Sequence, residues 1–280
     1  MRLEEIKRLL KKYNIRPSRR LGQNFLVDEK IFSKIIETAN LSENDVVLEV
    51  GPGIGSLTVE LAKRVKKVIA VEKDQDLVRI LNNELRIKNI KNVEIIKGDI
   101  LKIGNWKLEI GNFSYKVVAN LPYYITSPVI RHFLESVEVK PQQMILMVQK
   151  EVAQRICANP PQMSILAVSV QFYAKPEIIS FVSKKSFWPQ PKVDSAIIKI
   201  ASRQFGVLVS RQFRERFFRI VKAGFSQPRK QLINNLAEKL KMDKEKVKNW
   251  LLKNNIQPTQ RAETLTIKDW INLAKGFKIN

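Results

Sequence analysis

The chain has 280 residues, of which 44% are apolar, and this is enough for one large domain and a smaller one with a buried core. Fifty Lys and Arg residues against 27 Asp and Glu residues give a net charge of +23, which predicts a polyanion as the partner. A single cysteine excludes an internal disulfide, and a single histidine leaves too few ligands for a zinc cluster.

Targeting and membrane signals are missing from the sequence as well. No apolar stretch approaches the ~20 residues that span a bilayer, and the basic N-terminus lacks the apolar region of a signal peptide. We therefore expect a soluble, cytoplasmic protein. A protease-type pair of Cys157 and His132 is formally allowed, but nothing around Cys157 resembles a nucleophile site.

The positive charge is concentrated at the two ends of the chain. Residues 7–20 contain seven basic residues and no acidic one, and residues 203–280 contain 18 basic and six acidic residues. For any single lysine a solvated helix face is the better interpretation, but the sum predicts that both ends bind phosphates. A helix on a membrane surface would need a broad apolar face, and only residues 3–13 approach that pattern.

Five short apolar runs follow one another along the first half of the chain, with helical patterns between them. The runs are continuous rather than alternating, which is typical of strands buried on both faces of a parallel sheet. Residues 55–63 and 74–85 show the 3.6-residue spacing of helices. The series predicts a doubly wound βαβ sheet. Its strands are expected at Val46–Val50, Val68–Glu72, Val93–Ile96, Tyr115–Ala119 and Met144–Val148.

Two further apolar runs complete the predicted sheet. They are Glu177–Val182 and Ser195–Ile200, and the segment between them contains Phe187–Pro191 and no clear helix. This arrangement predicts an antiparallel pair at the end of the sheet. The expected fold class is therefore α/β, with a Rossmann-like, doubly wound sheet of seven strands whose last strand is antiparallel.

Only helical periodicity is present after Arg203. Asp243 and Thr266 are expected as helix N-caps, and Gly224 and Gly276 as helix ends. The sequence therefore predicts two domains, a sheet domain over residues 1–202 and a small all-helical domain over residues 203–280 that contacts RNA. The expected helices are Phe213–Ala223, Lys230–Leu240, Lys244–Leu252 and Ile267–Gly276.

A glycine-rich turn follows the first predicted strand and begins a helix. Glycines at this position let the backbone approach a ligand without interference from Cβ. The turn has Gly51, Gly53 and Gly55, whereas a dinucleotide-binding turn would have its third glycine at Ser56. Pro52 also removes one N–H donor. A turn with fewer donors favours a ligand without a pyrophosphate, such as S-adenosylmethionine.

Polar side chains end the next three strands. Glu72 lies 21 residues after Gly51, where a carboxylate can accept hydrogen bonds from both ribose hydroxyls. Asp99 and Asn120 end the third and fourth strands, and Asp99 is placed to accept from an adenine amino group. Because the ends of parallel strands meet at one sheet edge, these groups predict a ligand site there. The alternative for Glu72 is an ordinary strand-end acid paired with Lys73.

The tetrapeptide Asn120–Tyr123 offers an acceptor side chain, a rigid backbone carbonyl and a flat aromatic face within one turn. These groups suit a planar base that carries an exocyclic amine. Pro followed by an aromatic residue is also common where a chain leaves a sheet. The interpretation of the motif as a base-binding site therefore depends on Gly51, Glu72 and Asp99 at the neighbouring strand ends.

Six motifs follow one another from about Leu21 to the C-terminus: Leu21–Leu26, Glu49–Gly55, Asn120–Tyr123, Phe187–Ser195, Ala223–Lys230 and Arg261–Glu263. Each motif is weak by itself, but the ordered set is specific. The set resembles the KsgA family of 16S rRNA adenine N6,N6-dimethyltransferases, which is related to the Dim-type and Erm enzymes.

The resemblance implies a class I methyltransferase that dimethylates N6 of two adjacent adenosines in a hairpin loop near the 3′ end of 16S rRNA. It implies a monomer that acts on the small (30S) ribosomal subunit or its precursor, with S-adenosylmethionine as the cofactor. The implied cofactor contacts are Asn24, Leu26, Gly51, Glu72, Asp99 and Asn120. The implied pocket for the flipped adenine consists of Asn120, Leu121, Pro122 and Tyr123, with Phe187 as a second stacking face.

Three alternatives remain open from the sequence. Phe187 beside Trp188 could be a core aromatic residue rather than a stacking face. An Erm-type 23S rRNA methyltransferase shares the chemistry, but Leu121 and the continuation Tyr124–Pro128 favour the KsgA side. A non-catalytic ribosome-assembly or RNA-binding protein could share the fold, although intact acceptors at the strand ends argue against it.

Overall fold

The computed structural model describes residues 3–18, 20–103, 114–203 and 209–277. Arg19, which belongs to the basic N-terminal segment, lies outside the described residues. The chain divides into two compact units, Met1–Ala153 with Glu177–Ser202, and Gln154–Pro176 with Arg203–Asn280. The predicted domain boundary at residues 202 and 203 is also a boundary between these units, and residues 154–176 group with the second unit.

The first unit contains a seven-stranded sheet and a separate pair of very short strands. The strand order in the sheet is β4-β3-β2-β5-β6-β9-β7, and β1 pairs with β8. All seven predicted strands form, whereas the β1–β8 pair has no counterpart in the sequence prediction. The strands are β1 (Phe25–Leu26), β2 (Val46–Val50), β3 (Lys67–Glu72), β4 (Val93–Lys97), β5 (Tyr115–Asn120), β6 (Gln143–Gln149), β7 (Ala174–Val182), β8 (Phe187–Trp188) and β9 (Ser195–Ser202).

The sheet topology confirms the predicted doubly wound fold. Strands β2 to β6 pair in parallel, whereas β9 runs antiparallel to β6 and lies between β6 and β7. From β2 the chain proceeds to β3 and β4 on one side, and then returns to β5 and β6 on the other. The carboxyl ends of β2 and β5 therefore flank the point where the strand order reverses, which is where open α/β sheets bind ligands.

Helices cover the sheet because its central strands are apolar on both faces. Leu48, Ile69 and Val117 are fully buried, and the residues next to them along each strand are buried as well. One face carries a core cluster that joins the strands to α2 and α3. The helices and part-helices of residues 3–156 are α1 (Leu3–Lys12), α2 (Glu29–Ala39), α3 (Ser56–Ala62), α4 (Gln75–Ile87), α5 (Thr126–Arg131) and α6 (Lys150–Ile156).

The described helices of the second unit agree with the sequence pattern after Arg203. Asp243 and Thr266 are N-caps, and Thr266 forms a capping box with Asp269, so both predicted helix starts are confirmed. The helices lying wholly in this unit are α7 (Ile165–Tyr173), α8 (Arg211–Gly224), α9 (Leu232–Leu240), α10 (Lys244–Lys253) and α11 (Ile267–Gly276). None of the helices in the described ranges is both long enough and apolar enough to cross a membrane.

Gly224 ends α8, as predicted, and the structure shows a second reason for a glycine there. A Cβ at this position would lie 2.4 Å from Cη2 of Trp270, which is fully buried. The buried Asn235 side chain donates to the carbonyl oxygens of Gly224 and Gln227 at 2.7 and 3.0 Å. The segment Ala223–Lys230 therefore owes its pattern to the packing of the helical unit itself.

Candidate active site

One cavity at the carboxyl ends of β2 to β5 gathers every residue that the sequence analysis assigned to a site. Some are far apart in sequence, and the sheet brings their side chains to one edge. The lining includes Asn24, Leu26, Gly51, Glu72, Asp99, Asn120, Leu121, Pro122, Tyr123 and Phe187. The predicted cofactor residues and the predicted base-binding residues thus share one cavity.

The glycine turn adopts backbone conformations that side chains rarely tolerate. Gly51, Gly53 and Gly55 have φ angles of 67°, 61° and 88°. A Cβ at Gly55 would lie 2.4 Å from Cδ1 of Leu81, so this glycine also allows α3 to pack closely on α4. A Cβ at Gly51 would touch Pro122 at 3.5 Å, which shows that the turn packs directly against the Asn120–Tyr123 segment.

The carboxylate of Glu72 organises the loops around it. Its Oε2 accepts from the N–H of Gly53 at 3.0 Å, and its Oε1 accepts from the N–H groups of Lys73 and Asp74 at 2.8 and 2.9 Å. Burial raises the pKa of Glu72, and these three donors act in the opposite direction. Glu72 is therefore a buried acceptor that fixes the glycine turn on one side and the start of α4 on the other.

Asp99 and Lys73 form an ion pair at the rim of the cavity. The Lys73 ammonium lies 3.0 Å from Oδ2 of Asp99, while Oδ1 accepts from the N–H of Leu101. Partial burial raises the pKa of Asp99, but the hydrogen bonds from Lys73 and Leu101 lower it by a larger amount. The net shift of this pKa is therefore downward. The ammonium of Lys73 thus pairs with Asp99 and not with Glu72, which removes the ion-pair interpretation of Glu72.

The Asn120–Tyr123 segment is held from both of its ends. The Asn120 side-chain nitrogen donates to the carbonyl oxygen of Asn24 at 3.4 Å, and the N–H of Leu121 donates to the carbonyl oxygen of Met147 at 3.2 Å. The Tyr123 hydroxyl lies 2.8 Å from Oγ of Ser195, which is fully buried at the start of β9. No described residue donates to the Asn120 side-chain oxygen, so the described structure does not use this acceptor.

Phe187 is both a core residue and a wall of the cavity. It is 4% exposed and pairs across the short β1–β8 ladder with Leu26. The two residues belong to the same apolar cluster, which also contains Phe32. The core interpretation of Phe187 therefore describes its packing, and its place in the cavity lining keeps its stacking role as a proposal.

Comparison with known proteins decides the family. A family model described as "Ribosomal RNA adenine dimethylase" matches residues 14–278. The chain belongs to this family. Curated relatives named "Ribosomal RNA small subunit methyltransferase A" include one from Dehalococcoides mccartyi, 43% identical over 278 residues that cover 99% of this chain and 94% of the relative. Another, from Clostridium botulinum, is 42% identical over 271 residues that cover 96% of each chain.

Two solved structures resemble this chain along most of its length. A dimethyladenosine transferase from Plasmodium falciparum has a TM-score of 0.75 and 29% identity, covering 89% of this chain and 95% of the other. The 23S rRNA methyltransferase ErmE has a TM-score of 0.74 and 28% identity, covering 90% and 98%. The family resemblance, the fold class and the enzyme class of rRNA adenine dimethyltransferase are thereby confirmed.

The cavity fits S-adenosylmethionine, the cofactor of the family. The turn of positive-φ glycines leaves room for a ligand beside the backbone, since side chains there would narrow the cradle. Glu72 and Asp99 provide carboxylates at the ends of adjacent strands, and Ile100 and Phe25 add apolar walls. The residues that would hold the cofactor are therefore the glycine turn, Glu72, Asp99 and their apolar neighbours.

Two features of this dimethylase site were missed by the sequence analysis. Glu49 is 1% exposed and lines the cavity, although it was noted only as part of the glycine motif. The Gln23 side chain donates to Oδ2 of Asp74 at 2.8 Å and ties the Leu21–Leu26 segment to the start of α4. An acid at the end of a buried strand was a visible signal for Glu49, whereas no sequence signal marks the contact between Gln23 and Asp74.

Proposed function

We propose that this rRNA adenine dimethyltransferase methylates N6 of two adjacent adenosines in a hairpin loop near the 3′ end of 16S rRNA, within the small ribosomal subunit or its precursor. The observation that carries the proposal is the position of the Asn120–Tyr123 segment in the same cavity as Glu72 and Asp99. The names of the curated relatives, which specify the small subunit, support this choice of RNA.

Asn120 and Leu121 position the amine of the target base in this proposal. The N6 lone pair of adenine is delocalised into the ring, so N6 is a poor nucleophile until it becomes more tetrahedral. Hydrogen bonds accepted by the Asn120 side-chain oxygen and the Leu121 carbonyl would favour that geometry. They would also hold N6 in line with the methyl group that it attacks. The contact between Asn120 and Asn24 orients the amide so that its oxygen is the end left for the substrate.

The bound cofactor supplies an electrophilic methyl group on a sulfonium. The protein does not need a strong base, because the N6 proton becomes acidic once the methyl group is transferred. In agreement, His132, the single histidine, is not among the residues that line the cavity, and burial lowers its pKa. Positioning and electrostatic preorganisation by Asn120 and Leu121 are then the main contributions of the chain.

Tyr123 and Phe187 form the proposed clamp for the flipped base. The hydrogen bond between Tyr123 and Ser195 fixes the orientation of the tyrosine ring before any base arrives. A base removed from its neighbours loses stacking, and an aromatic face restores part of it. Flipping costs least in a loop, which agrees with a hairpin as the substrate.

The basic segments at the two ends are proposed to bind RNA phosphates. Residues 203–280 carry 18 basic and six acidic residues, and residues 7–20 carry seven basic residues and no acid. Charge of this density favours a large polyanionic surface over a short oligonucleotide. We assign the helical C-terminal region to contact with the ribosomal subunit, and we expect the enzyme to be a cytoplasmic monomer.

The Erm-type alternative has one specific observation in its favour, the likeness to ErmE at a TM-score of 0.74. The curated relatives at 40–43% identity carry the small-subunit name, and this supports 16S rRNA as the target. The two alternatives differ in the RNA that is modified, which mass spectrometry reads directly.

Treatment of unmodified small subunits with the purified chain and S-adenosylmethionine tests the proposed function. We expect two adjacent adenosines of 16S rRNA to gain two methyl groups each, as measured by mass spectrometry of the digested RNA. Unmodified large subunits serve as the control and should gain none. Methylation of 23S rRNA alone would establish the Erm-type alternative, and binding without methylation of either RNA would establish the non-catalytic one.

Two substitutions of Tyr123 separate the role of its aromatic ring from the role of its hydrogen bond with Ser195. Tyr123→Phe keeps the ring but leaves the buried Ser195 hydroxyl without this partner, so we expect a loss of about 1 kcal/mol in stability and only a few-fold loss in kcat/KM. Tyr123→Ala removes the stacking face, and kcat/KM should fall by roughly 10- to 100-fold, the equivalent of one lost base stack. Single-turnover methylation with thermal unfolding measures both. Equal kcat/KM for the two variants would contradict the stacking role.

A further inference from the structure

Glu49 at the end of β2 is a buried carboxyl group that none of the steps above uses. It is 1% exposed, it lines the cofactor cavity, and its Oε2 has no hydrogen-bond partner among the residues that the structure describes. A buried carboxylate without a partner is costly, and a native structure retains one only where something else compensates it. The missing partner must therefore come from the cavity or from a proton.

Among the described residues, none of the groups that shift the pKa of Glu49 is positively charged. β3 contributes Glu72, whose charge repels a second carboxylate. α3 contributes the hydroxyl of Thr58, a neutral donor that lowers the pKa of Glu49 by less than burial raises it, and the hydroxyl of Ser56, which has no partner in the described structure. Lys73 also lines the cavity, but its ammonium is paired with Asp99. The remaining titratable side chains of the lining, Tyr123 and Tyr124, are phenols, which carry no positive charge in either protonation state.

Glu49 and Glu72 differ in the number of hydrogen-bond donors that stabilise the charged form of each carboxyl group. Glu72 accepts from three backbone N–H groups, so its carboxylate is stabilised although it is buried. Glu49 has only the Thr58 hydroxyl as a donor that lowers its pKa, and burial raises this pKa to about 8, with the charge of Glu72 adding to the shift. Burial raises the pKa of Glu72 as well, but its three N–H donors favour placing the shared negative charge on Glu72 rather than on Glu49.

We propose that Glu49 is protonated in the free protein and releases its proton to solvent when the positively charged methyl donor binds beside it. S-adenosylmethionine carries a sulfonium and an ammonium group, and either one supplies the counter-charge that the cavity lacks. An ion pair formed inside the cavity offsets the desolvation free energy of the buried carboxylate and of the ligand's positive charge. The inference rests on S-adenosylmethionine as the cofactor, and it makes Glu49 a proton-linked binding residue.

Proton release can be counted by calorimetry. Binding of S-adenosylmethionine to the full chain is measured at pH 7 in PIPES and in Tris, because the dependence of the apparent enthalpy on the buffer's ionisation enthalpy gives the number of protons released. For a group with a pKa of about 8, we expect about 0.9 proton to be released. Glu49→Gln keeps the shape of the protonated side chain and should release fewer than about 0.2 proton by the same linkage relation.

The pH dependence of affinity gives an independent readout. Between pH 6 and 7.5 the wild-type Kd for S-adenosylmethionine should fall on the order of tenfold, because the ionised form of Glu49 becomes more populated as pH rises. The Kd of Glu49→Gln should be flat over this range and should approach the wild-type value near pH 6. A Gln that simply damaged the fold would weaken binding equally at both pH values.

Glu43→Gln is the matched control, because Glu43 is exposed and precedes the same strand. It should release as many protons as the wild type. Normal wild-type binding without proton release, or equal release by Glu49→Gln and the wild type, would overturn the proposal while leaving the proposed function intact. If the wild type did not bind S-adenosylmethionine at all, the cofactor assignment would be wrong as well.

Discussion

Replacing Asn120 by alanine should lower kcat for methyl transfer by roughly 10²- to 10³-fold, the range seen when one preorganised hydrogen-bonding group is removed from an active site. The Asn120 side-chain oxygen receives no hydrogen bond from the described residues. Its removal therefore takes an acceptor from the incoming amine and leaves none of these residues without a partner for a donor. Affinity for S-adenosylmethionine should change far less, because the glycine turn and Glu72 are untouched. Single-turnover transfer of labelled methyl groups, together with calorimetric binding, measures the two effects separately.

The stability of the Asn120→Ala variant should be close to that of the wild type. Within the described structure the Asn120 side chain donates one hydrogen bond, to the Asn24 carbonyl, which is 3.4 Å long and contributes less than about 1 kcal/mol. Asn82→Ala is a matched control, because Asn82 donates to the Val78 carbonyl on α4 and does not line the cavity. Wild-type kcat in Asn120→Ala would show that the amine is held elsewhere.

The Asn120→Asp variant tests whether Asn120 acts as a hydrogen-bond acceptor for the substrate or only as a turn residue. Aspartate keeps an acceptor oxygen and nearly the same shape, but it cannot donate to the Asn24 carbonyl and its second oxygen would be repelled there. We expect a kcat between those of the wild type and Asn120→Ala. The intermediate value would show that the catalytic contribution of Asn120 requires both the acceptor and the contact that orients it.

The sheet could be predicted from sequence because its strands carry a strong local signal. Val46–Val50 and Tyr115–Asn120 are largely apolar, each with one charged residue (Glu49 and Lys116), and both are followed by a turn. The order of strand and helix patterns then limits the topology to a doubly wound one. The positions of Glu72, Asp99 and Asn120 followed directly, since Glu72 and Asn120 end parallel strands and Asp99 lies two residues after the end of another. The site was therefore predictable to the extent that strand ends define it.

Features that depend on contacts between distant segments had no local signal. The β1–β8 pair joins Phe25–Leu26 to Phe187–Trp188, and strands of two residues show no periodicity. The grouping of residues 154–176 with the second unit depends on packing such as that of Phe172 on Phe217, whose ring centroids are 4.2 Å apart. The lack of a partner for Oε2 of Glu49 likewise depends on which residues surround it in the fold.

Substitution of Glu72 by glutamine should weaken binding of S-adenosylmethionine by at least about 100-fold, because charge-assisted hydrogen bonds to a ribose and to the glycine turn are lost together. The carboxylate uses one oxygen for Gly53 and the other for Lys73 and Asp74. A glutamine has only one oxygen, so its NH2 group must face an N–H donor on one side or the other. The turn and the ligand site are thus disturbed by the replacement of a single atom.

Thermal unfolding with and without S-adenosylmethionine separates this loss of binding from a loss of stability. Without ligand, Glu72→Gln should be destabilised by about 1–3 kcal/mol, since at least one buried N–H loses its acceptor. At a ligand concentration of about 100 times the wild-type Kd, the wild type should gain about 2.7 kcal/mol of stability, whereas the variant should gain less than about 0.5 kcal/mol. Glu94→Gln is the control, because Glu94 pairs with Lys67 at the surface of the same sheet. A Kd for Glu72→Gln within threefold of the wild-type value would mean that the carboxylate shapes the loop without holding the cofactor.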